Sequence, residues 1–168
     1  MKVLGLDPGS QFTGFGVIET SGEQVRRVAS GVIATPAKIS FAHKLEFIDV
    51  QLRALFIKHQ PDYTVVEKVF LGKNVDSAFK LGHVRGVCLL HSARAQSELV
   101  EIAARKAKKL VTGHGAASKD QVQLVVRNLL NVSGFQTLDE SDALALALAF
   151  WRQNLADQVV AKLEGLRI

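Results

Sequence analysis

Two rhythms of apolar and polar positions run through this chain. Lys2 to Leu6 is a short apolar run, and it stops at the turn-forming Asp7-Pro8-Gly9-Ser10. Phe12 to Glu19 reads as a second strand, with Gly14 and Gly16 inside it, and Ser21-Gly22 supplies a hairpin turn. A third strand covers about Gln24 to Ala34. Three strands joined by tight turns predict an antiparallel start to a sheet.

The period then changes. Phe41, Leu45, Ile48, Leu52, Leu55 and Phe56 recur at steps of three and four, which predicts an amphipathic helix from Phe41 to His59, stopped by Gln60-Pro61-Asp62. Tyr63 to Glu67 is a short β-rich run, expected to enter parallel to the first strand. Val69 to Asn74 reads as a loop, and Val75 to about Gln96 as a helix. Ala78, Gly82 and Gly86 fall at steps of four along that helix. Glycine costs about 1 kcal/mol against alanine inside a helix, so the line needs a reason. Close approach of another backbone is one: the sheet beneath, or the same helix in a second copy.

Glu98 to Ile102 predicts a fifth strand. A short helix, a break at Gly113-His114-Gly115 and another helix follow. Ser118 and Gln121 have capping-box spacing, Val122, Val125, Val126 and Leu129 form a stripe, and Ser133-Gly134 is the expected stop. The final helix begins near Asp139 and carries an unbroken apolar run from Ala143 to Trp151; the tail past about Leu155 reads as peripheral. The whole is an α/β chain, a five-stranded mixed sheet flanked by helices, read as a single domain over residues 1–168 with no repeat or linker.

Composition adds three constraints. The lone cysteine, Cys88, cannot form an internal disulfide, which fits a reducing compartment. No stretch reaches the length of a membrane span, and a signal peptide is not evident, so a cytoplasmic location is expected. The net charge is +5, and Arg105 to Asn128 alone holds six lysines and arginines against one acid. Such clustering suits a polyanion, although a solvated helix face would look the same.

The acids carry the chemistry. Asp7 and Glu67 end otherwise apolar strands, where a charge is costly unless paired or bound. Parallel neighbours would set them side by side at the strand ends, the edge where open α/β sheets place their sites. Asp139 and Asp142 share a face at the start of the final helix; the plain alternative is that Asp139 caps the helix and Asp142 favours its dipole. Four carboxylates at one edge, with no basic residue evident among them, call for divalent cations. All-oxygen ligation favours Mg²⁺ or Mn²⁺, and two ions about 4 Å apart are a known arrangement for cutting phosphodiesters. Lys108, Lys109 and Lys119 would hold the phosphate backbone. The five histidines lack metal spacing, and Cys88 reads as a small core residue.

These stretches resemble the RuvC family of Holliday junction resolvases, which have a ribonuclease-H-like fold. The likeness rests on Gly5 to Ser10 with Thr13 to Ile18, Val66 to Phe70 with Lys73-Asn74, Ser77-Ala78, Lys80 to Gly82, Arg85 to Val87, and Asp139 to Ala145. It covers the chain roughly to Phe150.

The resemblance implies a homodimeric endonuclease that nicks four-way DNA junctions symmetrically, leaving 5′-phosphate and 3′-hydroxyl ends, with Mg²⁺ as cofactor and Mn²⁺ as substitute, beside a RuvA–RuvB branch-migration complex. It implies that Asp7, Glu67, Asp139 and Asp142 are the metal-binding catalytic acids. Phe70, Lys73, Lys108 and Lys119 would contact DNA, and Ala78, Gly82 and Gly86 would line the dimer interface. Glu140 and Ser141 are bulkier and more polar than the alanine pair of some relatives. A non-catalytic junction-binding module and an actin-like ATP-dependent phosphotransferase are the alternatives.

Overall fold

The computed structural model describes residues 1–68 and 75–165, omitting the side chains of 163–165. Strands β1 (Lys2–Asp7), β2 (Phe12–Ser21) and β3 (Gln24–Ala34) are followed by helix α1 (Phe41–His59) and strand β4 (Tyr63–Glu67). Helix α2 (Val75–Arg94), strand β5 (Glu98–Ile102) and helices α3 (Ala104–Thr112), α4 (Lys119–Leu130) and α5 (Leu138–Gly165) complete the chain.

The five strands form one mixed sheet in the order β3-β2-β1-β4-β5. The hairpin strands pair antiparallel, whereas β4 joins β1 and β5 joins β4 in parallel. Both expectations for the sheet hold. Helices α1 and α2 cover one face, packing Ile48, Leu52, Phe56, Val84 and Cys88 onto Leu4, Leu6 and Val66. Helices α3, α4 and α5 cover the other, over Val3, Ile18, Val65 and Ile102. Residues alternate between the two faces along each strand. Val3 and Val65 face the α5 side and Leu4 and Val66 the α1 side, so the odd-numbered positions of β1 and β4 point toward α5.

Helix ends follow local chemistry. α1 stops at Gln60, which takes the left-handed conformation at φ 46°. Gly113 closes α3 at φ 82°. The Ser118–Gln121 capping box is present at the start of α4. Three boundaries differ from expectation. Asn131, at φ 50°, ends α4 before Ser133-Gly134 is reached, because asparagine tolerates the left-handed region better than most residues. α2 ends at Arg94, and Gln96 turns left-handed at φ 54°. α5 runs ten residues past Leu155; those from Ala156 to Lys162 are exposed, so the tail is peripheral but helical.

Gly82 and Gly86 have nothing within 4 Å of where a Cβ would stand. Both are exposed on the outer side of α2, so packing onto the sheet does not explain them. No helix among the described residues is long and apolar enough to cross a membrane.

Candidate active site

The pleat and the register decide where the acids go. Gly5 pairs with Val65 and Leu6 with Val66 across the parallel β1–β4 ladder, so the next positions, Asp7 and Glu67, are neighbours at the C-terminal edge. Both are odd-numbered and both project toward α5.

α5 reaches that edge because two strand positions have no side chain. A Cβ on Gly5 would lie 2.0 Å from the carbonyl oxygen of Ala143, and one on Gly14 would lie 2.0 Å from that of Asp139. Gly14 is also the antiparallel partner of Asp7. The start of α5 therefore lies against the strand pair that carries Asp7. The glycines in β2 were the sequence signal for this contact, although the sequence alone did not reveal what they admit.

Asp139 is not the helix cap. Thr137 Oγ1 accepts from the Glu140 amide at 3.2 Å, the bond a cap residue makes to the third helical residue. Glu140 is turned away from the other acids and is 3% exposed. Its Oε1 accepts from Ser30 Oγ at 2.6 Å, and its Oε2 accepts from the Gln136 amide at 2.7 Å. Ser141 is buried too, donating to Leu138 O at 2.8 Å and accepting from Gln123 Nε2 at 3.1 Å. Ser30, Gln123 and Gln136 hold the start of α5, yet none belongs to a motif or shows periodicity that would single it out.

The remaining carboxylates sense one another. Burial first, then the charges of Asp142, Glu67 and Asp139, push the Asp7 carboxyl up from 3.8 to about 7, against a lowering by Lys119. Burial and Asp142 also raise Glu67, while Lys119 and Lys108 oppose the rise. The expectation of no basic residue among the acids needs correction. Lys119 Nζ lies 3.4 Å from Asp142 Oδ2, because the first turn of α4 faces the first turns of α5. Lys108 Nζ donates to Ala117 O at 2.9 Å, tying α3 to the loop before α4. Both lysines line a cavity of about 310 Å³ with Glu67 and Asp142. A larger hollow, about 710 Å³, lies at the opposite end of the sheet among Phe56, His91 and Arg94 and holds none of the four acids. Phe70 and Lys73 lie outside the described residues.

Among the described residues no three acid, histidine or cysteine side chains form a ready-made metal cage. The donor set still fits a hard divalent cation. It is all oxygen, its negative charges burden one another, and catalytic Mg²⁺ sites usually take only one or two carboxylates and complete their shell with water and phosphate.

A mixed sheet in this strand order, flanked by helices with acids at the C-terminal edge of β1 and β4, defines the ribonuclease-H-like class. The family model described as "Crossover junction endodeoxyribonuclease RuvC" matches residues 3–150. The RuvC of Acidiphilium cryptum is 44% identical over 147 residues, 88% of each chain. That of Serratia proteamaculans is 40% identical over 163 residues, covering 97% of this chain and 92% of its own. The solved structure of T. thermophilus RuvC in complex with Holliday junction substrate superposes with a TM-score of 0.85 at 26% identity, over 92% of this chain and 97% of that one. The chain belongs to the RuvC family of crossover junction endodeoxyribonucleases.

Proposed function

We propose that this protein is a metal-dependent endonuclease that resolves four-way DNA junctions in recombination and repair by paired symmetric nicks, leaving 5′-phosphate and 3′-hydroxyl ends. The observation that carries the reading is the shared edge: Asp7 and Glu67 end neighbouring parallel strands, and Gly14, the ladder partner of Asp7, lies against Asp139 at the start of the helix that carries Asp142. Carboxylates kept so near one another at a cost in electrostatic energy fit a site built for cations. Asp7, Glu67, Asp139 and Asp142 would hold the Mg²⁺ ions, two per site. When bound, divalent cations supply a nucleophilic water at neutral pH and offset charge on the leaving oxygen.

The chain's own residues do the rest. Gly5 and Gly14 let α5 approach, which fixes Asp139 and Asp142 relative to Asp7. Lys119, 61% exposed beside Asp142, would meet a scissile phosphate, and Lys108 anchors the α3–α4 loop next to Glu67. The basic residues of α3 and α4 would track the backbone on either side. Phe70 and Lys73 would contact DNA at the crossover. A junction-delivering partner of the RuvA–RuvB type and a cytoplasmic location would suit such an enzyme.

A second copy would meet the outer side of α2. Val75, Phe79 and Leu90 are 65%, 66% and 46% exposed there, in line with Gly82 and Gly86. Small residues between exposed apolar ones suit a helix crossing its own symmetry mate, and a two-fold dimer suits a junction cut on two strands. Gly86→Leu should yield monomers by light scattering; an intact dimer would put the interface elsewhere.

The main test incubates the protein with a synthetic four-way junction and Mg²⁺, then repeats it with Asp7→Asn. Paired symmetric nicks, lost in the variant while junction binding persists, support the nuclease. Binding without nicks in the wild type would favour a non-catalytic module, and ATP-dependent phosphoryl transfer without DNA an actin-like enzyme.

A further inference from the structure

We propose that Glu140, acting through Ser30, is a positioning residue that sets how α5 presents Asp139 and Asp142 to divalent cations; the proposal rests on the reading of those two aspartates as metal ligands. The first turn of a helix is its least constrained part, since four amides there lack intrahelical partners. Asp139 and Asp142 both sit in the first two turns of α5. Their direction therefore depends on what holds that end of the helix from outside.

Gly14 lets the helix approach from one side. Glu140 holds it from another. At about 100° per residue it lies roughly opposite Asp142 and a quarter-turn from Asp139. A buried carboxylate is costly unless its oxygens are satisfied, and here both are. Oε1 accepts from Ser30 Oγ at 2.6 Å, and Oε2 accepts from the Gln136 amide at 2.7 Å. Arg27 joins the network: its Nη1 lies 3.9 Å from Glu140 Oε1 and 3.2 Å from Ser30 Oγ.

Ser30 is the cross-strand partner of Gly16, a position overlain by Leu144 of α5. Glu140 thus ties the helix to β3, a strand that carries none of the four acids, and to the residue just before the Thr137 cap. Arg27 offsets the extra negative charge that Glu140 brings to an acid-rich helix start. A glutamate here adds a third acid without adding a third ligand.

Groups that orient metal ligands from behind typically change metal affinity or activity about 10–100-fold when removed. The experiment measures, for Glu140→Ala, Glu140→Gln and Ser30→Ala, the melting temperature, junction affinity with EDTA present, and the Mg²⁺ concentration at half-maximal single-turnover cleavage. Glu140→Ala and Ser30→Ala should raise that concentration about tenfold with junction affinity unchanged. Glu140→Gln should restore most of the loss, because its amide oxygen can accept from Gln136 and its amide nitrogen can donate to Ser30.

Unmoved Mg²⁺ dependence in a folded Ser30→Ala protein would overturn the proposal, as would a Glu140→Ala protein that changes only in melting temperature. Should Glu140→Ala fail to fold, Ser30→Ala still decides. Asp139→Asn separates the levels. If it cleaves normally, the ligand reading fails and takes this proposal with it; if it is inactive while Ser30→Ala behaves as wild type, only the positioning role fails.

Discussion

Gly14→Ala is a one-carbon test of how the site is assembled. The new Cβ would stand 2.0 Å from the Asp139 carbonyl oxygen, 2.5 Å from its carbonyl carbon and 3.1 Å from its Cβ, whereas real Cβ contacts stay beyond 3.0 Å. The nearest two of these atoms are backbone, so no rotamer change relieves the clash, and α5 must move off β2 by about 1 Å, the shortfall against that limit. Overpacking of this kind costs about 1–3 kcal/mol, and each kcal/mol lowers the melting temperature of a chain this size by about 2–4 °C. Activity should suffer more than stability. Asp7 is the ladder partner of Gly14, so the same shift parts Asp139 from Asp7. A misplacement of about 1 Å can cost about 100-fold in rate. Single-turnover cleavage of a four-way junction in Mg²⁺ reads the rate, and a gel-shift titration in EDTA reads binding, which should persist because the α3–α4 surface is untouched. Gly134→Ala is the control, since nothing lies within 4 Å of its Cβ position. A Gly14→Ala protein that melts and cleaves like wild type would refute the idea that this contact sets the site.

Two further outcomes follow from the same structure. The Asp7 carboxyl ionises near 3.8 unfolded and about 7 folded, so the folded chain binds the extra proton between those values; the stability this group contributes is complete below 3.8 and is lost as pH rises to about 7. Metal-free protein should therefore lose melting temperature across that window, Asp7→Asn should flatten the loss, and Mg²⁺ should stabilise the wild type more at pH 8 than at pH 5; thermal melts that keep their slope in Asp7→Asn would argue against it. Ser118→Ala removes the bond that the Gln121 amide donates to Ser118 Oγ, 3.2 Å long, at the start of α4; urea unfolding should show a loss of about 1 kcal/mol, and no loss would mean that the cap adds nothing to stability.

Local pattern made most of the elements legible. Strands β1 to β5, helix α1 and the Ser118 capping box depend on periodicity and turn chemistry, which act over a few residues and so can be read from a few residues. The four acids stood out for a similar reason: charge at the end of an apolar strand, or paired at a helix start, is locally anomalous. Ser30 and Gln136 had no such mark. Each is an ordinary polar residue whose importance comes from its bond to Glu140, 110 residues away for Ser30 and four for Gln136.

Tertiary structure alone decided the rest. Asp139 could have been a cap until Thr137 was found in that place, and Gly82 and Gly86 could have packed on the sheet until α2 was seen to turn them outward. Lys119 entered the acid cluster only once α4 was set against α5. The physical reason is common to all three. A sequence specifies what each residue can do with its neighbours in the chain, but the field, the burial and the contact at a given atom are set by segments brought together across the sheet, and those depend on register and packing that no local pattern encodes.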